Sequence, residues 1–337
     1  MGYRDVVQGK RRGMSRRLMS ISIAREGTRM PRYPDFMCIG AQKAATSWLT
    51  VQLRRHPDIW IPPVKEIHYF DPIYVPQHMN PNLKTAPMER KRQEDAVRGI
   101  RGFLDKEKKL PASPMAKLQR IYCLSLIGMR TLTDEWYGRI FEMAEAKAIC
   151  GELTPEYALL PDSGVEHIMK LNPDIKIIFI MRDPIDRAWS ALRMLQRSGG
   201  FKGMERAIRR PGFLAFSDYM TTIERYRRFV APGNLLLLYF DDVAARPRQL
   251  LEQVCKLLGI PFTQGNFANM NDAFHKGQKA DLDADTYGQL KKVLAPAYER
   301  LLALENPIVD EWYRKHFGAP SARPRHSADL VSPTPGG

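Results

Sequence analysis

The sequence predicts an α/β fold built around a central parallel sheet. Short apolar runs alternate along the chain with segments whose apolar residues recur at helical spacing. The strongest run, Lys176–Met181, is continuously apolar after its first residue, as in a parallel strand that helices cover on both faces. Apolar residues make up 44% of the 337 residues, which is enough to fill a sizeable core.

Each element follows from a local pattern. The first strand is predicted at 35–39 and the first helix at 47–56, and Pro62 ends a short apolar run at Ile59–Ile61. Further strands are predicted at Ala148–Glu152, Lys176–Met181 and Asn234–Phe240. Helical periodicity predicts helices at 162–171, 203–210, 216–230 and 287–304, one that starts at Pro184, and one that carries Leu250 and Leu258 and ends at Gly259.

Composition divides the chain into three parts. Residues 33–318 are predicted to form one domain, with a largely helical insertion at about 88–147 that is rich in Lys, Arg and Glu. Residues 1–32 form a basic segment that we expect to be disordered, because its first 30 residues hold eight Lys or Arg against two acidic residues. Residues 319–337 contain several prolines and are predicted to be a disordered tail.

The net charge of +15 indicates an anionic partner without identifying it. The sequence has no zinc finger, recognition helix or aromatic-basic repeat, so specific nucleic-acid binding is not expected. No run approaches the roughly 20 apolar residues of a membrane span. Four cysteines without paired or metal-type spacing suggest buried thiols in a reducing compartment, and therefore a cytoplasmic protein.

A phosphate-binding loop is predicted between the first strand and the first helix. Gly40 ends the strand, Lys43 lies in the loop, and the hydroxyl pair Thr46-Ser47 stands where the helix begins. Backbone N–H groups and the positive end of a helix dipole attract an anion in this layout, and a lysine adds charge. The spacing differs from the G-x-x-x-x-G-K-[ST] loop of ATP-binding proteins. We therefore expect a P-loop-like fold with three layers. The alternative for this segment is an ordinary strand-to-helix turn whose lysine is exposed to solvent.

A second candidate anion site follows the strongest strand. Arg182 comes directly after it, and Ser190 lies two turns into the next helix, beside its apolar face. A guanidinium and a hydroxyl so placed can hold one phosphate, with the arginine making two hydrogen bonds. The competing interpretation is an ion pair between Arg182 and Asp186, with Ser190 exposed to solvent.

Together the two segments resemble the sulfotransferases that use 3′-phosphoadenosine 5′-phosphosulfate (PAPS). Ile39–Leu49 resembles their phosphosulfate loop, except that Ala44 and Ala45 stand where glycine is common, and Ile178–Ser190 resembles their 3′-phosphate motif. Three further segments match the family in order: Gly151–Tyr157, Tyr239–Gly259 and His275–Gly277. The resemblance implies that the donor contacts Gln42, Lys43, Ala44, Ala45, Thr46, Ser47, Arg182, Ser190, Lys276 and Gly277.

The string Lys65-Glu-Ile-His-Tyr-Phe-Asp71 resembles the K-E-x-H-F-F-D motif of the carbohydrate branch, of heparan sulfate type. That resemblance implies that Glu66 is the base that takes the acceptor proton and His68 a supporting hydrogen-bonding group or auxiliary base. It places Lys43 on the leaving phosphate oxygen, and Lys65 and Asp71 at the acceptor. The alternative is a structural turn in which Glu66 pairs with Lys65.

The resemblance implies a sulfotransferase that moves a sulfuryl group from PAPS to a hydroxyl or amine of a small molecule or glycan, with a carbohydrate favoured, and without a metal. A P-loop kinase using ATP and Mg²⁺ is the competing enzyme class, since it shares the fold and the phosphate loop. It requires a carboxylate at a strand end to hold the metal. Asp183 lies near that position, but directly after Arg182, which favours a phosphate clamp.

Overall fold

The structure is a computed structural model, and it describes residues 31–76, 79, 98, 102, 132–142, 144–197, 203–267, 269–270 and 282–319. Several predictions fall outside these residues: the N-terminal segment 1–30, most of the helical insertion, the tail from residue 320, and the donor contacts of Lys276 and Gly277. Of the insertion, the described part includes one helix, Asp134–Phe141.

A five-stranded sheet forms the centre of the fold, and every pair of neighbouring strands is parallel. The strands are β1 (Phe36–Gly40), β2 (Ile59–Trp60), β3 (Ile149–Leu153), β4 (Lys176–Met181) and β5 (Leu235–Tyr239). Their order across the sheet is β2-β3-β1-β4-β5. The predicted α/β fold with a central parallel sheet is therefore confirmed.

Helices flank the sheet and connect its strands. The α-helices are Thr46–Leu53, Asp71–Tyr74, Asp134–Phe141, Asp162–Leu171, Pro184–Arg197, Met204–Ile208, Pro211–Ala215, Tyr219–Phe229, Phe240–Ala245, Pro247–Leu258, Ala284–Leu301 and Pro307–Phe317. The predicted helix at 216–230 is present as Tyr219–Phe229, which Asp218 caps, and the short helix Pro211–Ala215 that precedes it was not predicted. The sequence analysis missed helix Pro307–Phe317, which begins at the Asn306 cap. None of the described helices has the length and apolar character needed to cross a bilayer.

Strand β1 lies between β3 and β4, so the chain crosses from one side of β1 to the other. Parallel sheets bind ligands outside the carboxyl ends of their strands at such a crossing point. The loops that leave this edge are the segment after Gly40, the 3₁₀ helix Pro155–Leu159 after β3, and Arg182-Asp183 after β4. The candidate motifs therefore leave one edge of the sheet.

Close packing between β1 and β3 depends on a glycine. Phe36 pairs with Gly151 across the strands, and its ring lies over the glycine. A Cβ atom added at Gly151 would lie 2.2 Å from that ring, and Phe36 is fully buried. Three of the predicted buried cysteines, Cys38, Cys150 and Cys255, are free thiols inside the protein.

We predict that Gly151→Ala lowers the free energy of unfolding by about 1–3 kcal/mol, because the buried Phe36 ring must shift to accept the methyl group. Gly288→Ala is the matched control, since nothing lies within 4 Å of the added Cβ in helix Ala284–Leu301. It should stabilise the protein by roughly 0.5–1 kcal/mol. Urea unfolding of both variants measures the difference, and equal midpoints would contradict the packing argument.

Candidate active site

The loop after β1 has the backbone of an anion cradle. Lys43 and Ala45 take left-handed conformations, with φ of 72° and 69°, and helix Thr46–Leu53 follows at once. Ala45 occupies the N-cap position, where its methyl group cannot accept a hydrogen bond from the helix. Left-handed residues beside a helix start gather backbone N–H groups around one point. The loop thus offers donors for an anion.

Arg182 crosses from β4 to this loop. Its Nη1 donates a hydrogen bond to the backbone oxygen of Lys43 over 3.1 Å, and its guanidinium lies 4.3 Å from the centre of the Phe240 ring. Its buried Nε has no hydrogen-bond partner among the residues that the structure describes. Asp186, the alternative ion-pair partner, lies 3.0 Å from Lys315 instead. The two predicted anion-binding segments therefore form one site, and Arg182 retains donor capacity toward it.

Helix Pro184–Arg197 presents one face to the same loop. Ser190, Met194 and Arg197 are spaced four and three residues apart, which places them on one side of a helix. The Nζ atom of Lys43 lies 3.9 Å from the sulfur of Met194, so this side faces the loop. Ser190 is half-buried there. The role of Ser190 as the second phosphate contact stays a prediction.

Positive charge is concentrated around Lys43. Burial lowers the pKa of Lys43, and the neighbouring charges of Arg197, Arg182 and Lys65 lower it further. Positively charged side chains that lie close together repel one another, and a bound anion offsets this repulsion. This electrostatic arrangement fits a polyphosphate or phosphosulfate group.

The segment Lys65–Asp71 lies directly beside the loop. Lys65 Nζ donates to Ser47 Oγ over 2.7 Å and lies 2.8 Å from Glu66 Oε1. The expected Lys65–Glu66 pair is therefore present, and Lys65 also contacts the start of helix Thr46–Leu53, which follows the loop after β1. His68 Nε2 lies 4.0 Å from Glu66 Oε2, and His68 Nδ1 lies 3.0 Å from Asp71 Oδ2. Asp71, predicted at the acceptor, is buried and holds His68.

The backbone of this segment is strained. Glu66 and His68 have φ angles of 57° and 54°, in the left-handed region that side chains other than glycine rarely adopt. Each such residue costs on the order of 1–3 kcal/mol and persists only where the surroundings enforce it. Two of the three residues 66–68 have this conformation, and it brings the side chains of Glu66 and His68 to the same point. This is a geometric reason to treat both residues as functional.

A third side chain, that of Glu156, joins Glu66 and His68. One ligand atom from each of the three lies within 4.8 Å of the others. Burial by itself lowers the pKa of His68, but Asp71, Glu156 and Glu66 outweigh it and raise this pKa to about 10. These carboxylates thus favour the protonated imidazole, in which both ring nitrogens can donate hydrogen bonds.

The carboxylate of Asp183 serves the fold. It accepts hydrogen bonds from the backbone N–H of Ile185 and from His316 Nε2, at 3.0 and 2.8 Å, and lies 3.3 Å from Lys315 Nζ. The Tyr298 hydroxyl also donates to it. Both oxygens are thus engaged at the start of helix Pro184–Arg197. This is a cap and an anchor for the last helix rather than the metal-binding carboxylate of a kinase.

Comparison with known proteins identifies the class. The model of the sulfotransferase family matches residues 34–264, more than half of the chain, so the chain belongs to this family. The sulfotransferase from Alicyclobacillus acidocaldarius is 23% identical, covering 83% of this chain and 99% of its own, with a TM-score of 0.58. The sulfotransferase domain of the Synechococcus PCC 7002 olefin synthase is 17% identical, covering 79% and 96%, with a TM-score of 0.51. These two structures share the fold. No curated protein matches the chain.

The sequence analysis missed four residues of the site: Glu156, Met194, Arg197 and Phe240. Glu156 lies in the segment Gly151–Tyr157, which carried the family resemblance but no assigned role. Met194 and Arg197 follow Ser190 at helical spacing, so the helix face of Ser190 contained the signal. Phe240 directly follows β5, and the strand order that brings it under Arg182 cannot be read from the chain.

We predict that His68 stays protonated at pH 8 and that Asp71→Asn lowers its pKa, because Asp71 is the nearest carboxylate. Folding raises the pKa of His68, so its interaction with Asp71 stabilises the fold fully at pH values below the ordinary histidine pKa of about 6.5. This stabilisation is lost as the pH rises through about 10. NMR titration of the His68 ring measures both. Asp174→Asn, an exposed change in the turn before β4, is the control, and an ordinary pKa in the unaltered protein would contradict the geometry.

Proposed function

We propose that this sulfotransferase moves a sulfuryl group from PAPS to a hydroxyl or amino group, with a carbohydrate as the favoured acceptor. The observation that carries the proposal is the hydrogen bond from Arg182 to the Lys43 carbonyl, because it joins both anion-binding segments in one site. PAPS carries anionic groups at both its 5′ and 3′ positions, and a site for it needs two such segments close together.

The residues around Lys43 suit this donor. The loop N–H groups and Lys43 would hold the 5′-phosphosulfate, and Arg182 with Ser190 would hold the 3′-phosphate. The buried Nε of Arg182 without a partner and the cations around Lys43 support this fit, since a bound anion satisfies the first and neutralises the second. When bound, the donor supplies a sulfuryl group on a phosphate leaving group.

The residues beside the loop suit the transfer step. As the acceptor oxygen or nitrogen forms its bond to sulfur, Glu66 takes the proton from that atom. The bond between sulfur and the bridging oxygen breaks, and its electron pair stays on the departing phosphate, whose charge Lys43 stabilises. Lys65, between Glu66 and Ser47, offsets charge on both sides. His68 donates a hydrogen bond, and Asp71 acts through His68 by holding its ring.

The carbohydrate acceptor rests on the resemblance of Lys65–Asp71 to the heparan sulfate type of sulfotransferase. The decisive experiment incubates the purified protein with PAPS labelled with ³⁵S and a cell extract, then isolates the labelled product. A labelled saccharide supports the proposal. A labelled protein or lipid would show that the acceptor is of that class and not a carbohydrate. The absence of any labelled product would refute sulfuryl transfer.

We predict that Lys43→Ala and Arg182→Ala each weaken binding of 3′-phosphoadenosine 5′-phosphate by about ten- to hundredfold, the value of a charge-assisted hydrogen bond. Binding should not require Mg²⁺. ADP, which lacks the 3′-phosphate, should bind more weakly, and Arg182→Ala should remove that difference. Calorimetry measures these affinities.

Lys170→Ala is the matched control for the binding measurements. Lys170 is exposed in the last turn of helix Asp162–Leu171, just before the amino end of β4, at the far edge of the sheet from the loop. Affinities that are equal in all three variants and the unaltered protein would show that the donor binds elsewhere.

We predict that Glu66→Gln lowers the rate of transfer by at least about a hundredfold, since the amide cannot take a proton. The affinity for 3′-phosphoadenosine 5′-phosphate should stay within about twofold of its original value. Glu299→Gln, an exposed change on helix Ala284–Leu301, controls for the loss of one negative charge. Full turnover of Glu66→Gln would rule out Glu66 as the base.

A further inference from the structure

Glu156 is a buried carboxylate at the active site that the proposed mechanism does not use. It lies in the 3₁₀ helix Pro155–Leu159, which follows the carboxyl end of β3, and only 4% of its surface is exposed. Burial raises the pKa of Glu156 to about 7, and Asp71 and Glu66 add to the increase while His68 opposes it. A carboxylate held at such a cost requires a partner.

The hydrogen bonds of Glu156 are incomplete. Its Oε1 accepts from Gln42 Nε2 over 3.3 Å, which ties it to the donor loop. Its buried Oε2 accepts no hydrogen bond from any residue that the structure describes. Glu152, four residues earlier and equally buried, differs: its oxygens accept from Thr154, Tyr157 and Tyr137. Glu156 therefore has a free acceptor where a structural carboxylate has none.

The carboxyl group of Glu156 borders a space shared with Glu66 and His68, because one of its oxygens is among the three clustered ligand atoms. Because their three ligand atoms lie within 4.8 Å of one another, one atom can sit within about 2.8 Å of all three. That is a hydrogen-bond distance. The space fits a hydrogen-bonding group of a substrate.

The three side chains offer different bonds to such a group. His68 donates a hydrogen bond to the oxygen of the reacting hydroxyl, and Glu66 takes the proton of that hydroxyl. The same hydroxyl then has no further hydrogen to donate to Glu156. The free oxygen of Glu156 thus needs a second donor close to the first. Hydroxyls on adjacent carbons, as in a sugar ring, supply such a pair.

We propose that Glu156 is an acceptor-binding residue whose Oε2 accepts a hydrogen bond from the hydroxyl next to the one that is sulfated, so that the enzyme selects acceptors with vicinal hydroxyls. This inference rests on the proposed function and deepens it. Glu156 takes no proton in the transfer. It fixes which hydroxyl reaches Glu66, and its bond to Gln42 connects that choice to the donor loop.

The test compares two probe acceptors with ³⁵S-labelled PAPS. One is methyl β-D-glucopyranoside, and the other is its 3-deoxy analogue, in which no two free hydroxyls are on adjacent carbons. The unaltered protein should show a kcat/KM at least about tenfold higher for the glucoside, since a hydrogen bond to a charged group is lost with the analogue. Glu156→Ala should bring the two values within about twofold, by lowering only that for the glucoside.

Glu152→Gln is the matched control, because it alters a buried carboxylate of the same strand–loop segment outside the shared space, and it should keep the preference. Glu156→Gln, which keeps the side-chain volume, should show an intermediate preference and guards against misfolding of Glu156→Ala. Binding of 3′-phosphoadenosine 5′-phosphate verifies that each variant is folded.

Two failures can be distinguished. If the protein neither binds 3′-phosphoadenosine 5′-phosphate nor labels any component of a cell extract, the proposed function itself is wrong. If it labels extract components but does not prefer the glucoside, or keeps that preference in both Glu156 variants, the inference about Glu156 is wrong and the sulfotransferase activity stands.

Discussion

The site depends on one hydrogen bond, from the Arg182 guanidinium to the backbone oxygen of Lys43. It connects the carboxyl ends of two adjacent strands, and the Phe240 ring supports it from the third. A carbonyl engaged in this way points toward the arginine. Since the N–H groups of Ala41 and Ala44 already donate to the backbone oxygens of Ile180 and Ala41, the donors left for a ligand are those nearer the start of helix Thr46–Leu53. The bond thus orients the loop and positions the guanidinium together, so neither anion-binding segment is built independently.

Charge is separated across the site. Lys43, Arg182 and Arg197 form a positively charged side, and Glu66 and Glu156 lie on the other. Lys65 and His68 lie between the two sides. Lys65 contacts both Ser47 and Glu66, and His68 carries a positive charge that Asp71 stabilises. This separation suits a reaction in which a proton moves to one side while negative charge develops on the other.

Backbone strain occurs where the two sides meet. Lys43 and Ala45 in the loop, and Glu66 and His68 beside it, all have left-handed conformations without being glycine. Such residues are retained where the fold enforces them, commonly at functional sites. The loop has alanine at a left-handed position where the resemblance led us to expect glycine, so its shape is set by the surrounding contacts and not by local flexibility.

The sequence by itself determined the strands, the loop lysine, Arg182 and the Lys65–Asp71 segment, because buried parallel strands are apolar runs and the residues that follow them are local in the chain. Only the tertiary structure decided that Glu156 shares a space with Glu66 and that Asp183 binds His316, a residue of a helix that the sequence analysis missed. The two members of each pair are 90 or more positions apart in the sequence. The order of the strands in the sheet brings them together, and no periodic pattern in the sequence indicates that order.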